Sequence, residues 1–143
     1  MEIDRDAAVI SRHSITVDAP LEKVWALHTD VAAWPAWQTD ITSAALDGPF
    51  APGTSFSWQT YGLDITSTVH EVEPLRRTCW GGPAHGIDGV HVWTFTEIDG
   101  AVEVCTEESW DGPAVRADVA AMQAGLDSSL IAWLGRLKAA AES

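Results

Sequence analysis

A histidine and a glutamate face each other across a predicted β-hairpin, where together they could donate and accept a proton. The segment Val90–Trp110 is centred on Asp99-Gly100, a dipeptide that favours a two-residue hairpin turn. With the turn placed there, His91 lies opposite Glu108 on one face of the hairpin. An imidazole beside a carboxylate can act as general base, act as general acid or anchor a ligand hydroxyl. The alternative is a structural hydrogen bond at the polar end of a sheet.

The same face of this hairpin carries large apolar side chains. The turn places Trp93 opposite Thr106 and Phe95 opposite Val104. A face that combines aromatic rings with an acid–base pair is more typical of a lined cavity than of a dry core. Glu107 points to the other face, and we interpret it as a solvated surface charge.

Other kinds of chemistry find little support among the remaining residues. The five histidines are dispersed, and neither an HExxH nor a CxxC pattern occurs, so we expect no metal site. Nucleotide-binding and nucleophile-elbow motifs are absent as well, and we expect no cofactor. His85 lies in Gly81–Gly89, which we interpret as a cavity lid or a long turn. The facing of His70 is ambiguous, since a bulge near Glu71 is needed for regular alternation.

Composition narrows the class of protein further. The 143 residues and the 46% hydrophobic content with eight Trp predict one folded domain, spanning residues 1–143. The net charge of −13 disfavours nucleic acid and anionic membrane surfaces as partners. No apolar run is long enough for membrane insertion, and the first residues do not resemble a secretory signal, so we expect a cytoplasmic protein. Cys79 and Cys105 are expected to be buried, reduced thiols.

Hydrophobic patterning predicts an α+β fold. A first strand at Val9–Val17 is followed by a helix that begins near Pro20 and by a short helix or turn at Val31–Gln38. Further strands are predicted at Ile41–Leu46, Thr54–Tyr61, Leu63–Val72, Arg77–Trp80 and the two arms of the hairpin. One long amphipathic helix is predicted over Ala114–Glu142. An antiparallel sheet with its helices on one face is the economical arrangement.

Several segments resemble the START/polyketide-cyclase-like (SRPBCC) superfamily, and specifically its polyketide cyclase/dehydrase branch. They are VWALHTDVAAWPAWQTDI from Val24, VHEVEPLRRTCWGG from Val69, GVHVWTF with TEESWDG, and the closing LDSSLIAWLGRLKAAAE. The resemblance implies a helix-grip fold, in which a curved antiparallel sheet of about seven strands wraps a long C-terminal helix, with two short helices after the first strand. It also implies a deep cavity for lipids, polyketides or other apolar molecules, and no shared catalytic set.

These observations predict that a small apolar or aromatic ligand binds between the sheet and the C-terminal helix. The expected ligand-binding residues are Trp58, Trp80, His91, Trp93, Phe95, Thr106, Glu108, Met122 and Leu126. A carrier or binding protein is one interpretation, and a cofactor-independent cyclase or dehydratase with His91 and Glu108 in proton transfer is another. A third is a protein-interaction module with a vestigial cavity. The sequence leaves the ligand's identity open and is compatible with a monomer or a homodimer.

Overall fold

The computed structural model describes residues 1–143 and contains one seven-stranded antiparallel sheet with four α-helices. The strands are β1 (Val9–Val17), β2 (Ile41–Leu46), β3 (Ser55–Thr60), β4 (Leu63–Glu73), β5 (Arg77–Ala84), β6 (Ile87–Ile98) and β7 (Ala101–Asp111). The helices are α1 (Leu21–Thr29), α2 (Trp34–Trp37), α3 (Pro113–Arg116) and α4 (Val119–Ala141), and a 3-10 turn occupies Val31–Ala33. The strand order is β1-β7-β6-β5-β4-β3-β2. The predicted α+β class and helix-grip fold are confirmed.

The central hairpin has the predicted register. His91 pairs with Glu108, Trp93 with Thr106 and Phe95 with Val104. Asp99 and Gly100 have φ angles of 51° and 82°, as a type I′ turn requires at both of its central residues. Because the turn fixes the register and side chains alternate along a strand, the hairpin brings His91 and Glu108 to one face.

The predicted bulge is present in β4. Val69 pairs with Trp80, whereas Glu71 pairs with the next residue, Cys79, so His70 is the extra residue of a β-bulge. Both cysteines are free and buried, as expected.

Two predicted segments differ from the structure. Residues 81–89 form neither a lid nor a long loop, because β5 and β6 remain paired as far as Ala84 and Ile87 and only His85-Gly86 form the turn. The glycines permit this pairing, since a Cβ on Gly81 would stand 2.2 Å from the Gly89 carbonyl oxygen. The helix predicted over residues 114–142 is divided into α3 and α4, because the side chain of Asp118 accepts a hydrogen bond from the Ala121 N–H and begins a new helix.

Helix α4 is held to the sheet by an apolar stripe and by polar contacts at two levels. Asp127 accepts hydrogen bonds from Ser11 and His13 of β1, and Arg136 forms an ion pair with Asp40, beside the start of β2. The buried stripe consists of Leu126, Leu130, Trp133, Leu134, Leu137 and Ala141. No helix combines the length and the apolar character needed to cross a membrane.

Candidate functional site

A cavity of about 490 Å³ lies between the sheet and α4. Its lining includes five of the nine residues that the sequence predicts for a ligand site. They are Trp58, Trp80, His91, Glu108 and Met122. The other four, Trp93, Phe95, Thr106 and Leu126, are buried but do not line the cavity.

These four side chains are absent from the lining because other groups cover them. Trp93 and Phe95 pack on the ring of His28, with centroid distances of 4.9 and 5.1 Å, and belong to the main core. The hydroxyl of Thr106 is in contact with His91 rather than with the cavity. Leu126 faces a second apolar cluster, formed with Val9, Val115 and Leu130.

The polar end of the cavity is built around His91, which is only 2% exposed. Thr106 donates its single hydroxyl hydrogen to the Val92 carbonyl oxygen at 3.3 Å. The same hydroxyl oxygen lies 2.7 Å from His91 Nε2, and with its hydrogen directed to Val92 we assign the ring proton to Nε2. Burial, with an added contribution from nearby His28, lowers the pKa of His91 well below 6.5. The neutral ring therefore has its lone pair on Nδ1.

Glu108 faces that lone pair. Its Oε1 lies 3.2 Å from His91 Nδ1, while its Oε2 accepts a hydrogen bond from Trp110 Nε1 at 2.7 Å. Burial raises the pKa of Glu108 to about 8, against the opposing effect of the Trp110 hydrogen bond. At neutral pH the carboxyl is therefore mostly protonated. Oε2 accepts the indole N–H, and we assign the carboxyl proton to Oε1, which faces the His91 lone pair.

The arrangement thus places a neutral acid and a neutral base at the end of an apolar space. Glu108 can donate a proton to a ligand oxygen, and His91 Nδ1 can accept one from a ligand. The lowered pKa makes His91 a weak base, whereas a carboxylic acid with a pKa near 8 remains a proton donor at neutral pH. The same two groups can simply hold a ligand hydroxyl by hydrogen bonds.

Three indole rings form the adjoining wall of the cavity. The centroids of Trp58, Trp80 and Trp133 are 5.9 to 6.1 Å apart, a separation typical of packed aromatic rings. The Trp58 N–H donates to Ser67 Oγ at 3.1 Å. The indole nitrogens of Trp80 and Trp133 are buried without a partner.

A second polar group of residues lines the cavity on the β2–β3 side. Gln38 and Asp40 flank the end of α2, and Tyr61 lies at the β3–β4 turn. Asp40 is paired with Arg136 and accepts a hydrogen bond from the Tyr61 hydroxyl at 3.1 Å. The Gln38 side-chain oxygen accepts from the Asp40 backbone N–H at 3.1 Å and from Arg136 at 3.4 Å.

The cavity opens to solvent between two hairpin tips and the first half of α4. Tyr61, which is 65% exposed, and exposed Leu63 lie at one tip, and His85 lies at the other. The two tips are joined because His85 Nε2 donates to the Asp64 carbonyl oxygen at 2.7 Å. On α4, Gly125 lines the cavity near this opening, and a Cβ added there would meet no atom within 4 Å.

Sequence reasoning missed several lining residues. Trp110 could have been found, since strand alternation puts it on the face of Glu108. Trp133 lies in the apolar stripe of the predicted C-terminal helix, but periodicity cannot separate a cavity wall from a core. Gln38 has no signal in the sequence, because its burial depends on how α2 meets α4. His70, whose facing the sequence leaves ambiguous, does not line the cavity.

Comparison with known proteins places this architecture among related structures. Residues 8–142 match the family described as polyketide cyclase / dehydrase and lipid transport, whereas no curated protein matches the chain. The hypothetical protein jhp0584 from Helicobacter pylori is 20% identical, with a TM-score of 0.85 over 97% of this chain and 91% of that chain. A START superfamily protein from Mycobacterium smegmatis is 11% identical, with a TM-score of 0.70 over 90% and 96%. DynU16, from the dynemicin biosynthetic locus, is 23% identical, with a TM-score of 0.70 over 90% of this chain and 45% of that chain.

Proposed function

This chain belongs to the polyketide cyclase/dehydrase and lipid transport family, as its sequence predicts, and we propose that it binds a small, uncharged apolar or aromatic molecule. The ligand would lie in the cavity between the sheet and α4, with Glu108 and His91 as its polar anchors. The observation that carries this proposal is the cavity of about 490 Å³, walled by indole rings and ending in a neutral acid and a neutral base.

The electrostatics of the lining favour an uncharged ligand. At neutral pH the pKa directions of Glu108 and His91 leave both groups without charge. The charge on Asp40 is compensated by Arg136. No free cation therefore remains at the lining to hold a carboxylate or phosphate, and burying an unpaired charge costs several kcal/mol or more.

The cavity can be tested with 4-hydroxystilbene, a flat aromatic probe with one hydroxyl, by isothermal titration calorimetry. Helix α4 offers a matched pair of variants, Gly125→Phe and Gly135→Phe. At both positions a Cβ meets no atom within 4 Å, but only Gly125 lines the cavity. Both substitutions also remove a helical glycine, which favours the helix by roughly 0.5–1 kcal/mol.

We expect one probe molecule to bind per chain. Gly125→Phe should weaken binding at least tenfold because the ring occupies the opening, and Gly135→Phe should leave the affinity unchanged. Failure of 4-hydroxystilbene and of unsubstituted stilbene to bind, or equal effects of the two variants, would contradict binding of aromatic ligands in this cavity.

A second candidate function is proton transfer, the step shared by cyclases and dehydratases. It is favoured by the 3.2 Å separation of Glu108 Oε1 and His91 Nδ1 and by their opposite protonation states. On a bound ketone, Glu108 would donate its proton to the carbonyl oxygen while Nδ1 takes a proton from the α-carbon. The products are an enol, a carboxylate and an imidazolium, and the reverse step restores the ketone.

Deuterium exchange into the methyl group of 2-acetylnaphthalene, followed by NMR in D₂O, measures this step directly. We expect the protein to accelerate exchange above the buffer rate. His91→Ala should return the rate to that of buffer, whereas His70→Ala, outside the cavity, should not change it. Exchange that is no faster with the wild-type protein than with His91→Ala would exclude the proton-transfer function while leaving ligand binding unaffected.

A further inference from the structure

The side-chain amide of Gln38 presents an unused hydrogen-bond donor to the cavity. Gln38 lines the cavity and is only 2% exposed. Its oxygen is identified by its neighbours, because the Asp40 N–H and the Arg136 guanidinium are both donors and both lie against Oε1. The remaining amide atom is thus the NH₂ group. Its nitrogen makes no hydrogen bond to the protein, and it is not one of the enclosed, unpaired side-chain atoms, so a molecule in the cavity can reach it.

The indole wall adds no acceptor, since an indole N–H can only donate. Trp80 and Trp133 both line the cavity, and both have a buried N–H without an acceptor. The Thr60 hydroxyl on this side donates its hydrogen to the Asp40 carbonyl oxygen at 2.8 Å, so it presents only lone pairs to a ligand. On this side the Gln38 NH₂ group is therefore the donor that remains for a ligand oxygen with free lone pairs.

The Gln38 side of the cavity is distant from Glu108, whereas Trp80 and Trp133 lie between the two and also pack on His91. Gln38 and Thr60 belong to the β2–β3 side of the sheet, whereas Glu108 is on β7. Four strand intervals separate β3 from β7, which corresponds to roughly 19 Å measured along the sheet at the usual spacing. Because the sheet is curved, the direct path is shorter. A ligand that reaches both ends must be elongated.

We propose that Gln38 is a specificity-determining residue whose amide NH₂ binds a carbonyl-type oxygen at the far end of the ligand. The ligand class is then an elongated, uncharged aromatic compound with an oxygen function at each end. A hydroxyl lies at Glu108 and His91, and a hydrogen-bond acceptor lies at Gln38. This inference rests on the proposed function and adds a second recognition point to the same cavity.

The test compares 4-hydroxystilbene with 4-acetyl-4′-hydroxystilbene, which adds only an acceptor at the other end. In the wild-type protein the acetyl group should tighten binding about two- to tenfold, the range expected for one hydrogen bond. Gln38→Glu retains an oxygen for the Asp40 N–H and Arg136 but replaces the NH₂ donor by an acceptor, so it should abolish the gain. Gln59→Glu makes the same exchange on an exposed residue outside the cavity and should preserve the gain.

A second measurement uses the wild-type protein alone and follows its side-chain amide signals by NMR. The chain contains three Gln and no Asn, so a ¹H–¹⁵N spectrum contains only three side-chain amide pairs. The acetyl probe should shift the Gln38 pair beyond the shift that 4-hydroxystilbene causes. The pairs of Gln59 and Gln123 should remain in place.

The possible results separate this inference from the proposed function. A gain that is lost in Gln38→Glu, together with the selective amide shift, supports the role of Gln38. Binding of both probes without a gain, a gain that persists in Gln38→Glu, or an unshifted Gln38 amide would overturn that role alone. Failure of both probes to bind would overturn the proposed binding of aromatic ligands, and this inference with it.

Discussion

Two histidines of this chain are buried to the same degree and each contacts a threonine hydroxyl, but only one of them borders the cavity. His28 on α1 is 1% exposed and shares a hydrogen bond of 2.8 Å between Nε2 and Thr78 Oγ1. His91 on β6 is 2% exposed and makes the corresponding contact with Thr106 at 2.7 Å. Burial lowers the pKa of both, to about 3 for His28 and well below 6.5 for His91.

The difference lies in what surrounds each ring. The ring of His28 is enclosed by aromatic side chains, which are those of Trp25, Trp34, Phe50, Trp93 and Phe95. His91 also packs on three indole rings, but it lines the cavity and has the carboxyl of Glu108 at 3.2 Å. A buried histidine with a displaced pKa is therefore not in itself a sign of function. Access to an empty space and a titratable neighbour distinguish the candidate site from the core.

The largest effect should come from truncating each ring in turn. His28→Ala should lower the free energy of unfolding by about 3 kcal/mol, because it leaves a hole among packed rings and an unpaired Thr78. His91→Ala enlarges an existing cavity and should cost less, about 1 kcal/mol. Urea denaturation measures both values. The affinity for 4-hydroxystilbene should fall more in His91→Ala than in His28→Ala. A larger stability loss for His91→Ala than for His28→Ala would contradict the comparison.

Glu108 is the titratable neighbour that His91 has and His28 does not, and its ionisation should be visible in the pH dependence of stability. Its pKa is about 8 in the folded chain and returns to the ordinary 4.5 on unfolding, so the folded state binds the extra proton between these values. Its contribution to stability is fully present below pH 4.5 and is lost as the pH rises through 8. The histidines act oppositely, since their lowered pKa values favour the unfolded state only at pH values below about 6.5.

Between pH 6.5 and 8 the Glu108 effect should therefore dominate. The free energy of unfolding of the wild-type protein should fall by about 2 kcal/mol relative to that of Glu108→Gln over this range. Urea denaturation at several pH values gives the difference, in which other titrating groups cancel. Parallel curves for the two proteins would show that Glu108 is ionised at neutral pH.

Smaller effects are expected from the threonines that contact the two histidines. Thr78→Val and Thr106→Val each remove one hydroxyl from a buried histidine, and each should cost about 1 kcal/mol. Only Thr106→Val should weaken 4-hydroxystilbene binding, because without that hydroxyl the proton of His91 can move from Nε2 to Nδ1. ¹⁵N shifts of the imidazole report the tautomer directly. An Nδ1–H tautomer in the wild-type protein would contradict the hydrogen-bond arrangement described for the site.

The smallest effect is expected on the other face of β7. Glu107 is adjacent to Glu108 but points away from the cavity, where it pairs with exposed Arg5 at 2.8 Å. Glu107→Ala should change the free energy of unfolding by no more than about 0.5 kcal/mol, as is usual for surface ion pairs. It should leave the affinity for 4-hydroxystilbene unchanged in calorimetry, whereas Glu108→Ala should weaken it several-fold. Equal losses of affinity in Glu107→Ala and Glu108→Ala would mean that affinity depends on the net charge of the chain and not on which face of β7 carries the glutamate.

Much of the fold was accessible from short-range patterns. The Asp99-Gly100 turn and strand alternation correctly predicted that His91 faces Glu108, and the irregular spacing around His70 predicted the bulge in β4. Asp118 is a capping residue, but its division of the C-terminal helix was not foreseen because the apolar stripe continues past it. The pairing of β5 with β6 through Gly81–Gly89 was also missed, since several glycines in a row are more typical of a loop.

The sequence by itself determined which residues share a strand face or a helix face, because turn chemistry and the periods of 2.0 and 3.6 residues are local properties. Only the tertiary structure decided which of those inward-facing residues border empty space. Trp80 and Trp93 have the same residue type and the same inward orientation, yet one lines the cavity and the other is packed in the core. Helix α1 makes that difference, because its His28 covers Trp93 at a centroid distance of 4.9 Å. The burial of Gln38 and the pKa of Glu108 depend equally on contacts between segments far apart in the chain.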